Sequence, residues 1–337
     1  MKLLMCSSMK KKKILFICGS LNQTTIMYKI YQHLRHYDCH FTPFYSDGYL
    51  NILARNGFLD FTILGGQARI NTLKFLHENR LPLDDGGMGQ NYDLVVTGSD
   101  LFIPKNIIGK KIVLVQEGMT DPENFKYYLV KNLHLPRYLA NTSMTGLSDQ
   151  YQTFCVASEG FKELFIQKGV RPDKIAVTGI PNFDNVKEHL QNGFQHRNYT
   201  LAVTSHLRET FKYENRIKFI ENVVDIARGK QVIFKLHPGE NVERASREIN
   251  KYAPGSLIFT QGNTNEMVAN CDVFVTRYSS VLLVALALNK QIYADVDFDL
   301  LKKLTPIQNG GKSARKIADI CEYHLYPTTS FSKFMAI

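Results

Sequence analysis

Three polar loops in the second half of the chain carry side chains suited to chemistry, and each follows a run of residues typical of a buried strand. The loops are Ser205–Arg208, His237–Glu240 and Arg277–Ser280. Because ligands of open parallel sheets bind at the carboxyl ends of the strands, we expect the three loops to share one edge. The sequence therefore predicts a ligand-binding edge in this half.

The side chains of this edge suit an anion. Ser279 and Ser280 open the helical pattern Ser280–Leu288, where free N–H groups and the positive end of the helix dipole attract negative charge. Arg208 and His237 would add donors for a phosphate or diphosphate. Each loop also has an ordinary alternative, since serine commonly caps a helix and a His-Pro pair commonly forms a turn. Their occurrence at one edge favours the anion site.

A carboxylate marks the ligand edge of the first half. Glu117 directly follows the predicted strand Ile112–Gln116 and would face a cleft between the two halves. A carboxylate in that place can act as a general base if it lies within about 3 Å of a hydroxyl proton. Asp100, after the predicted strand Leu94–Thr97, is a second candidate. The alternative for Glu117 is a solvated loop residue with no part in chemistry.

The elements that must position these residues alternate between short apolar runs and helical patterns. Continuous apolar runs are typical of strands buried on both faces of a parallel sheet. The predicted strands are Ile14–Cys18, Leu94–Thr97, Ile112–Gln116, Thr153–Ala157, Ile175–Thr178, Leu201–Thr204, Val232–Leu236, Leu257–Thr260, Val273–Thr276 and Gln291–Ala294. The predicted helices are Thr25–Leu34, Phe161–Lys168, Arg216–Ala227, Val242–Tyr252 and Ser280–Leu288. The alternation predicts an α/β fold with parallel sheets.

A polar stretch without strand signal, Val186–Tyr199, divides the chain into two halves. We therefore predict two Rossmann-like domains, residues 14–190 and 198–312, which face each other across a cleft. Residues 1–13 are predicted to form a disordered basic N-terminus. Residues 313–337 are predicted to form a helical tail, with its helix at Ser313–Tyr323.

Composition places the chain among globular proteins. Its 337 residues are 44% hydrophobic and 21% charged, which excludes a disordered chain. The net charge of +10 suits anionic ligands or an acidic membrane surface, although the run Lys10–Lys13 supplies part of it. The longest apolar run, Val281–Leu288, is far shorter than the ~20 residues of a membrane helix. Six cysteines without a C-x-x-C pair indicate a reduced, cytoplasmic protein.

Two common phosphate motifs do not occur in the sequence. No G-x-G-x-x-G follows the first predicted strand, and Gly311-Lys312-Ser313 lacks the earlier glycine and the preceding strand of a P-loop. A dinucleotide dehydrogenase and a P-loop enzyme are therefore disfavoured. One group of metal-ligating residue types has a basic setting and a single carboxylate nearby, so no metal site is predicted there: His33, His36, Cys39 and His40.

The second half resembles GT-B transferases, most of all the CDP-glycerol glycerophosphotransferases and the capsule transferases that use CMP-activated sugars. The resemblance lies in Lys235–Pro238, Asn265–Met267, Cys271–Val281 and Ala287–Lys290. In those families the His-Pro and Tyr-Ser-Ser elements hold the nucleotide and its phosphates. The resemblance thus implies a donor site formed by His237, Pro238, Tyr278, Ser279 and Ser280.

The first half is similar to the non-hydrolysing UDP-N-acetylglucosamine 2-epimerases, through Leu114–Gly118 and Val177–Asn182. Asn309–Ser313 near the end of the chain is similar to them as well. The chain departs from both families. Glu117-Gly118 stands in place of the transferases' His-Gly. Arg277 stands where the transferases have Asp, and its loop lacks the glycines that admit a diphosphate in the epimerases.

The residues and the resemblance together predict a transferase with a GT-B architecture. It would move a glycosyl or glycerophosphoryl group from a nucleotide-activated donor to an acceptor in surface-polysaccharide biosynthesis. The second domain would hold the donor, with Arg208 on its phosphates and Asn265 near the base or ribose. The donor is a substrate, and neither a cofactor nor a metal is expected.

The first domain is expected to present a glycan or lipid-linked acceptor. Gly19, Ser20 and Gly118 would form the acceptor-side loops, with Glu117 as base and Asp100 as the second candidate. Such an acceptor implies a cytoplasmic protein that can contact the inner face of the membrane. The sequence does not indicate the base of the nucleotide, the transferred group or the stereochemistry.

Two other functions stay open. A nucleotide-sugar 2-epimerase would have the same fold and would need no acceptor. The basic composition also raises the hypothesis of a non-catalytic nucleic-acid binder. No basic stripe flanked by aromatic residues supports that hypothesis, so no nucleic-acid partner is predicted.

Overall fold

The computed structural model describes residues 11–210, 212–277 and 279–327. Within these ranges the chain forms two parallel sheets, one of six strands and one of five. The strands of the first sheet are β1 (Lys13–Cys18), β2 (Asp38–Pro43), β3 (Leu94–Thr97), β4 (Ile112–Val115), β5 (Thr153–Val156) and β6 (Ile175–Val177). Those of the second sheet are β7 (Thr200–Val203), β8 (Val232–Lys235), β9 (Leu257–Phe259), β10 (Val273–Thr276) and β11 (Gln291–Tyr293). The predicted α/β class with parallel sheets is confirmed.

Helices connect the strands and cover the sheets. In chain order they are α1 (Leu21–Leu34), α2 (Gly48–Arg55), α3 (Gly66–Glu78), α4 (Phe125–Asn132), α5 (Glu159–Lys168), α6 (Arg216–Ala227), α7 (Val242–Tyr252), α8 (Thr264–Asn270), α9 (Leu282–Ala287), α10 (Phe298–Lys303) and α11 (Ser313–Leu325). The central strands β3, β4 and β5 are buried along their whole length because helices cover both faces.

The strand order brings the candidate loops together. The first sheet has the order β2-β1-β3-β4-β5-β6, so the loops after β1, β3 and β4 are neighbours at its carboxyl edge. The second sheet has the order β11-β10-β7-β8-β9, which places the loops after β10, β7 and β8 side by side. The register supports this, since Val203 pairs with both Thr276 and Lys235. The three polar loops therefore share one edge, as predicted.

Strand β2 was not predicted from the sequence. Its residues, DCHFTP, mix acidic, polar and apolar types, and it lies at the edge of the sheet beside β1. Alternation along a strand points Cys39 and His40 to opposite faces. Cys39 is buried in the core, whereas His40 is half-buried. Among the described residues, no group of three or more His, Cys, Asp or Glu is arranged to hold a metal ion.

The end of the described chain returns to the first domain, contrary to the predicted boundary at residue 312. Helix α10 packs against α5, where Gly160 lies so close that an added Cβ would be 1.9 Å from the carbonyl oxygen of Lys303. Helix α11 packs on α1 and buries Ile317 and Cys321 in the core of the first sheet. The predicted helical tail is thus part of the first domain as far as residue 327.

The predicted disordered N-terminus requires a correction at its end. Residues 1–10 lie outside the described residues. Lys12, however, donates to Asp93 at 2.8 Å, and Lys13 begins β1. Across the described part of the chain, no helix combines the length and the apolar character needed to cross a bilayer.

Candidate functional site

Glu117 occupies the carboxyl edge of the first sheet, two residues after β4 ends at Val115. The Ser20 hydroxyl donates to Oε1 of its carboxylate, and Gln23 Nε2 donates to Oε2 at 2.6 Å. Asn22 Nδ2 donates to the backbone carbonyl of Glu117 at 3.1 Å. An ionised carboxylate only accepts hydrogen bonds, and the two side chains that meet its oxygens most closely are neutral donors. Glu117 is half-buried, so the donors leave it in reach of solvent.

The first turn of α1 positions these donors because the chain leaves β1 through Gly19 and starts a helix at once. Ser20 caps the helix and accepts from the backbone N–H of Gln23 at 3.2 Å. Gln116 braces the opposite side of the loop. Its buried amide donates to the Gly118 carbonyl at 2.8 Å and accepts from the N–H of Ala157 at 2.9 Å. Both sides of the Glu117 loop are therefore fixed by hydrogen bonds.

The two domains meet at Gly118. A Cβ added to this glycine would lie 2.5 Å from the hydroxyl oxygen of Ser280, which follows β10 of the second sheet. A second contact joins the domains nearby, where Lys212 Nζ lies 3.8 Å from Asp121. The structure thus brings the predicted base loop and the predicted donor loop together where the two domains meet.

The helix after β10 starts later than predicted. Helix α9 begins at Leu282, and its cap residue Val281 gives no side-chain cap. Ser279 Oγ accepts from the N–H of Val281 at 3.3 Å, so Ser279 closes a local turn in front of the helix. With six residues, α9 is too short to serve as the predicted dipole site. Tyr278, predicted to hold the nucleotide, lies outside the described residues.

His237 forms a stacked pair with His206, with ring centroids 4.0 Å apart and planes at 14°. Burial lowers the pKa of His237 to about 3, helped by His206 and Lys235, and burial also lowers the pKa of His206. His237 Nδ1 accepts from the N–H of Gly239 at 3.0 Å, so a neutral ring carries its proton on Nε2. His237 therefore offers a neutral N–H donor.

Pro238 is exposed and lies in a tight turn. The N–H of Glu240 donates to the His237 carbonyl at 3.0 Å, the bond that closes a β-turn with proline at its second position. The turn of His237–Glu240 is thus observed directly. It presents His237 at the edge of the sheet, while Glu240 turns into the protein.

Arg208 requires a correction, because its guanidinium is already paired. Its two terminal nitrogens donate to Glu248 on α7, each at 2.8 Å. Glu214 and Glu240 lie 3.9 and 3.8 Å from the same group. Three carboxylates therefore surround the charge that was predicted to meet a phosphate. Arg208 joins the loop after β7 to α7 instead.

A buried ion cluster underlies this arrangement. Arg216 is 2% exposed and lies 2.8 Å from both Glu214 and Glu240. Glu240 also accepts from the Thr204 hydroxyl, which in turn accepts from the N–H of His237 at 3.1 Å. Burial raises the pKa of Glu240. Through Glu240 and Thr204, the cluster holds the His237 turn in place.

Asp100 also has a structural role. It is 1% exposed, and its two oxygens accept from the N–H groups of Gly146 and Ser148 at 2.9 and 3.0 Å. Burial raises the pKa of this carboxyl group. Asp100 thus anchors a backbone loop and is not placed to take a proton from a substrate, contrary to its prediction as a second base.

Asn265 lies on α8 and is half-buried. Its Nδ2 lies 3.2 Å from Nε2 of His189, a residue of the segment that joins the two sheets. The predicted contact with a base or ribose stays a prediction. Sequence reasoning missed three residues of the site: Asn22, Gln23 and His206. The cap at Ser20 could have drawn attention to the first turn of α1, but nothing in the sequence pairs Gln23 with Glu117.

Comparison with known proteins shows what the chain is similar to. No protein-family model matches the sequence, and no curated protein matches it significantly. Solved structures do match. S. aureus MnaA with UDP is 13% identical, with a TM-score of 0.57, and the match covers 95% of this chain and 98% of that chain.

Two further structures match over similar lengths. UDP-GlcNAc 2-epimerase from Neisseria meningitidis bound to UDP-GlcNAc is 12% identical, with a TM-score of 0.55 and coverage of 92% and 99%. The wall teichoic acid polymerase TagF is 11% identical, with a TM-score of 0.52 and coverage of 94% and 90%. The chain therefore shares one fold, two Rossmann-like domains in a GT-B arrangement, with epimerases and with a polymerase.

Proposed function

We propose that this protein is a transferase that moves a glycosyl or glycerophosphoryl group from a nucleotide-activated donor to the hydroxyl group of an acceptor. The observation that carries the proposal is the Glu117 carboxylate, held by donors of α1 at the point where Gly118 meets Ser280 of the other domain. The structural similarity to TagF, which has been solved with CDPG, and to enzymes with UDP or UDP-GlcNAc bound supports a nucleotide-linked substrate.

Glu117 is assigned the proton of the acceptor. As the acceptor oxygen forms its bond to the sugar carbon or to the phosphorus of the donor, its proton passes to the carboxylate. The bond from that carbon or phosphorus to the nucleotide's phosphate oxygen breaks, and the nucleotide leaves with the electron pair. A positioned general base contributes roughly 10²–10⁴-fold to such a step.

The donor side is assigned to neutral groups of the second domain. His237 supplies an N–H donor, and Ser279 and Ser280 supply hydroxyl groups after β10. Phosphate oxygens accept hydrogen bonds from donors of either kind. Arg208 is left out of the donor site because Glu248 holds both of its terminal nitrogens.

The acceptor side supports a substrate carried on an anionic bilayer. Residues 125–139, hereafter the α4 segment, contain three lysine or arginine residues and no aspartate or glutamate. Phe125, Leu129 and Leu133 in this segment are 80%, 40% and 60% exposed. Exposed apolar side chains among cations are typical of surfaces that bind anionic lipid. The α4 segment follows the Glu117 loop directly, so a bilayer there would hold a lipid-linked acceptor near the cleft.

A UDP-sugar 2-epimerase is the second candidate. It is favoured by the carboxylate at Glu117 in place of the transferases' histidine, and by two solved UDP-N-acetylglucosamine 2-epimerases of which the match covers 98% and 99%. The two functions differ in what they require. An epimerase converts its nucleotide sugar without an acceptor, whereas a transferase releases the nucleotide.

A two-stage experiment tests the proposal. Thermal shifts with CMP, CDP, UDP, GDP and ADP identify the base, since a ligand at 100 times its Kd adds about 2.7 kcal/mol of apparent stability. CDP-glycerol and UDP-GlcNAc are then incubated with the enzyme, with and without acceptor, and proton NMR follows the nucleotide and the sugar. Acceptor-dependent release of CMP or UDP supports transfer. An epimer formed without acceptor supports the second candidate, and the absence of any stabilising nucleotide contradicts both.

A further inference from the structure

Gln23 lies across the carboxyl edge of the first sheet. Its side chain crosses the ends of β1 and β3 to reach Glu117, which follows β4. Its side chain starts on α1, passes Gly19 after β1 and Gly98 after β3, and ends at the carboxylate after β4. Only 5% of Gln23 is exposed. An amide so deeply buried at the edge of a cleft is held in one orientation by its surroundings.

The two glycines make room for this side chain. A Cβ added at Gly19 would lie 1.8 Å from Gln23 Oε1, and one at Gly98 would lie 3.1 Å from Gln23 Cγ. Neither glycine has the positive φ that would require glycine for backbone reasons. A Cβ at Gly19 would therefore displace the Gln23 amide, and a Cβ at Gly98 would press on the Gln23 side chain.

Only one end of the Gln23 amide is hydrogen-bonded. Nε2 donates to Glu117 Oε2 at 2.6 Å, whereas no donor among the described residues reaches the buried Oε1. Turning the amide over would place its oxygen against the carboxylate, where two acceptors repel each other. Buried polar atoms without a partner are rare and call for an explanation. Here the explanation is the contact with Glu117.

We propose that Gln23 is a positioning residue that fixes the Glu117 carboxylate for the proton of the acceptor, and that Gly19 and Gly98 serve to admit its side chain. This inference rests on the proposed function, because it assigns Gln23 to the proton-accepting role of Glu117. It also reassigns Gly19, predicted to belong to an acceptor-side loop, to the support of the base.

Kinetics of two Gln23 variants test the proposal. Gln23→Met keeps the length of the side chain but cannot donate, and a misplaced catalytic group costs about 10²-fold, so we expect kcat to fall by about that factor. The KM for the donor, CDP-glycerol or UDP-GlcNAc, should stay within about twofold, since the assigned donor groups lie on the other domain. Gln23→Glu puts a second carboxylate beside Glu117, so the acid limb of the kcat profile should move up by about one pH unit.

The glycines supply a matched pair of variants. Gly98→Ala should lower kcat about tenfold by pressing on Gln23 Cγ. Gly193→Ala is the control, because nothing lies within 4 Å of its added Cβ and its φ is not positive. A double-mutant cycle of Gln23→Met and Glu117→Gln, measured by the urea midpoint, tests the contact between Gln23 and Glu117 in the absence of substrate. The two shifts should be clearly non-additive, and additive shifts would overturn the inference.

The outcomes separate this inference from the proposed function. If Glu117→Gln abolishes turnover while Gln23→Met leaves kcat and its pH profile unchanged, Glu117 is the base and the role of Gln23 is wrong. If Glu117→Gln retains full turnover, the assigned base and the inference both fail. A rise in the donor KM without a fall in kcat would likewise overturn the positioning role.

Discussion

The carboxyl edges of the two sheets differ in how their charged side chains are neutralised. At the first edge, the Glu117 carboxylate accepts hydrogen bonds from the neutral groups of Ser20 and Gln23. At the second edge, arginines and glutamates pair with one another, as Arg216 does with Glu214 and Glu240. Neutral donors do not cancel the negative charge of a carboxylate, so it can still interact with a ligand or accept a proton. Charges paired within the protein are no longer free to meet one.

This difference changes what the second domain can do. Arg208 was predicted to bind the phosphates of the donor through its charge. The groups that remain at the edge, His237 and Ser280, are neutral donors. Binding there would depend on the geometry of hydrogen bonds, while the ion cluster keeps the loops in place.

Glu117→Gln should have the largest effect. The amide cannot take a proton at neutral pH, so turnover should fall by roughly 10²–10⁴-fold, while the Kd for the nucleotide should not change. Release of CMP or UDP in the presence of acceptor measures the first quantity, and titration calorimetry measures the second. Glu221→Gln, on the exposed face of α6, is the control. Full activity of Glu117→Gln would make Glu117 a structural residue.

Arg216→Met should strongly destabilise the fold. Removal of Arg216 from the buried ion cluster leaves Glu214 and Glu240 with only the more distant Arg208, at 3.9 and 3.8 Å, and costs about 3–5 kcal/mol in the free energy of unfolding. Urea denaturation measures the loss. Arg315→Met is the matched control, because Arg315 forms an exposed helical pair with Asp319 that contributes at most about 0.5 kcal/mol. Equal losses in the two variants would contradict the structural role of the cluster.

The α4 segment lies in the first domain, and vesicle binding tests its proposed contact with an anionic bilayer. Phe125→Ser, Leu129→Ser and Leu133→Ser combined should reduce binding to phosphatidylglycerol vesicles about tenfold, because less apolar area enters the bilayer. Cosedimentation measures the bound fraction, with phosphatidylcholine vesicles for comparison. Ile217→Ser with Val224→Ser, on α6 of the second domain, is the control. Loss of self-association instead of vesicle binding would indicate that a second copy covers the segment.

The central strands of both sheets could be predicted from the sequence because buried parallel strands are continuous apolar runs. β4, with the sequence IVLV, needs no tertiary information to be identified. β2 could not be found in that way, because an edge strand with Asp38 and His40 has no such run. The start of α9 was misplaced because Ser279 and Ser280 have the residue types of a cap without its geometry.

The site itself was predictable only in part. The position of Glu117 follows from the end of a buried strand, and that reasoning held. The pairing of Arg208 did not follow, because its partner Glu248 lies forty positions away on α7. Gln23 was missed for the same reason, since its contact with Glu117 depends on strand order. Local sequence therefore indicates where a polar group stands, and tertiary contacts decide whether it is free.

His237 should make stability depend on pH. Its pKa is about 3 in the folded protein and near 6.5 when unfolded, so between these values only the unfolded chain takes up the proton. The contribution of His237 is complete above pH 6.5 and is lost as the pH falls toward 3. At pH 5.5 the loss should be about 1 kcal/mol. The urea midpoints at pH 7.5 and 5.5 should differ less in His237→Asn than in the wild type. In the control His77→Asn, at an exposed position, they should differ by as much as in the wild type.

Ser280→Ala should have the smallest effect and the most specific one. Its hydroxyl lies at the cleft opposite Gly118 and does not cap α9, so its loss should leave the free energy of unfolding unchanged. The Kd for the nucleotide should rise about threefold to fivefold, the net contribution of one hydrogen bond. Ser279→Ala is the matched variant, since Ser279 Oγ also accepts from the N–H of Val281, so its loss should cost about 1 kcal/mol of stability in addition to nucleotide affinity. Calorimetric titration and urea denaturation of both variants separate the two roles. If Ser280→Ala loses stability while its nucleotide affinity stays constant, Ser280 only supports the turn, and the neutral donor site of the second edge loses its central hydroxyl.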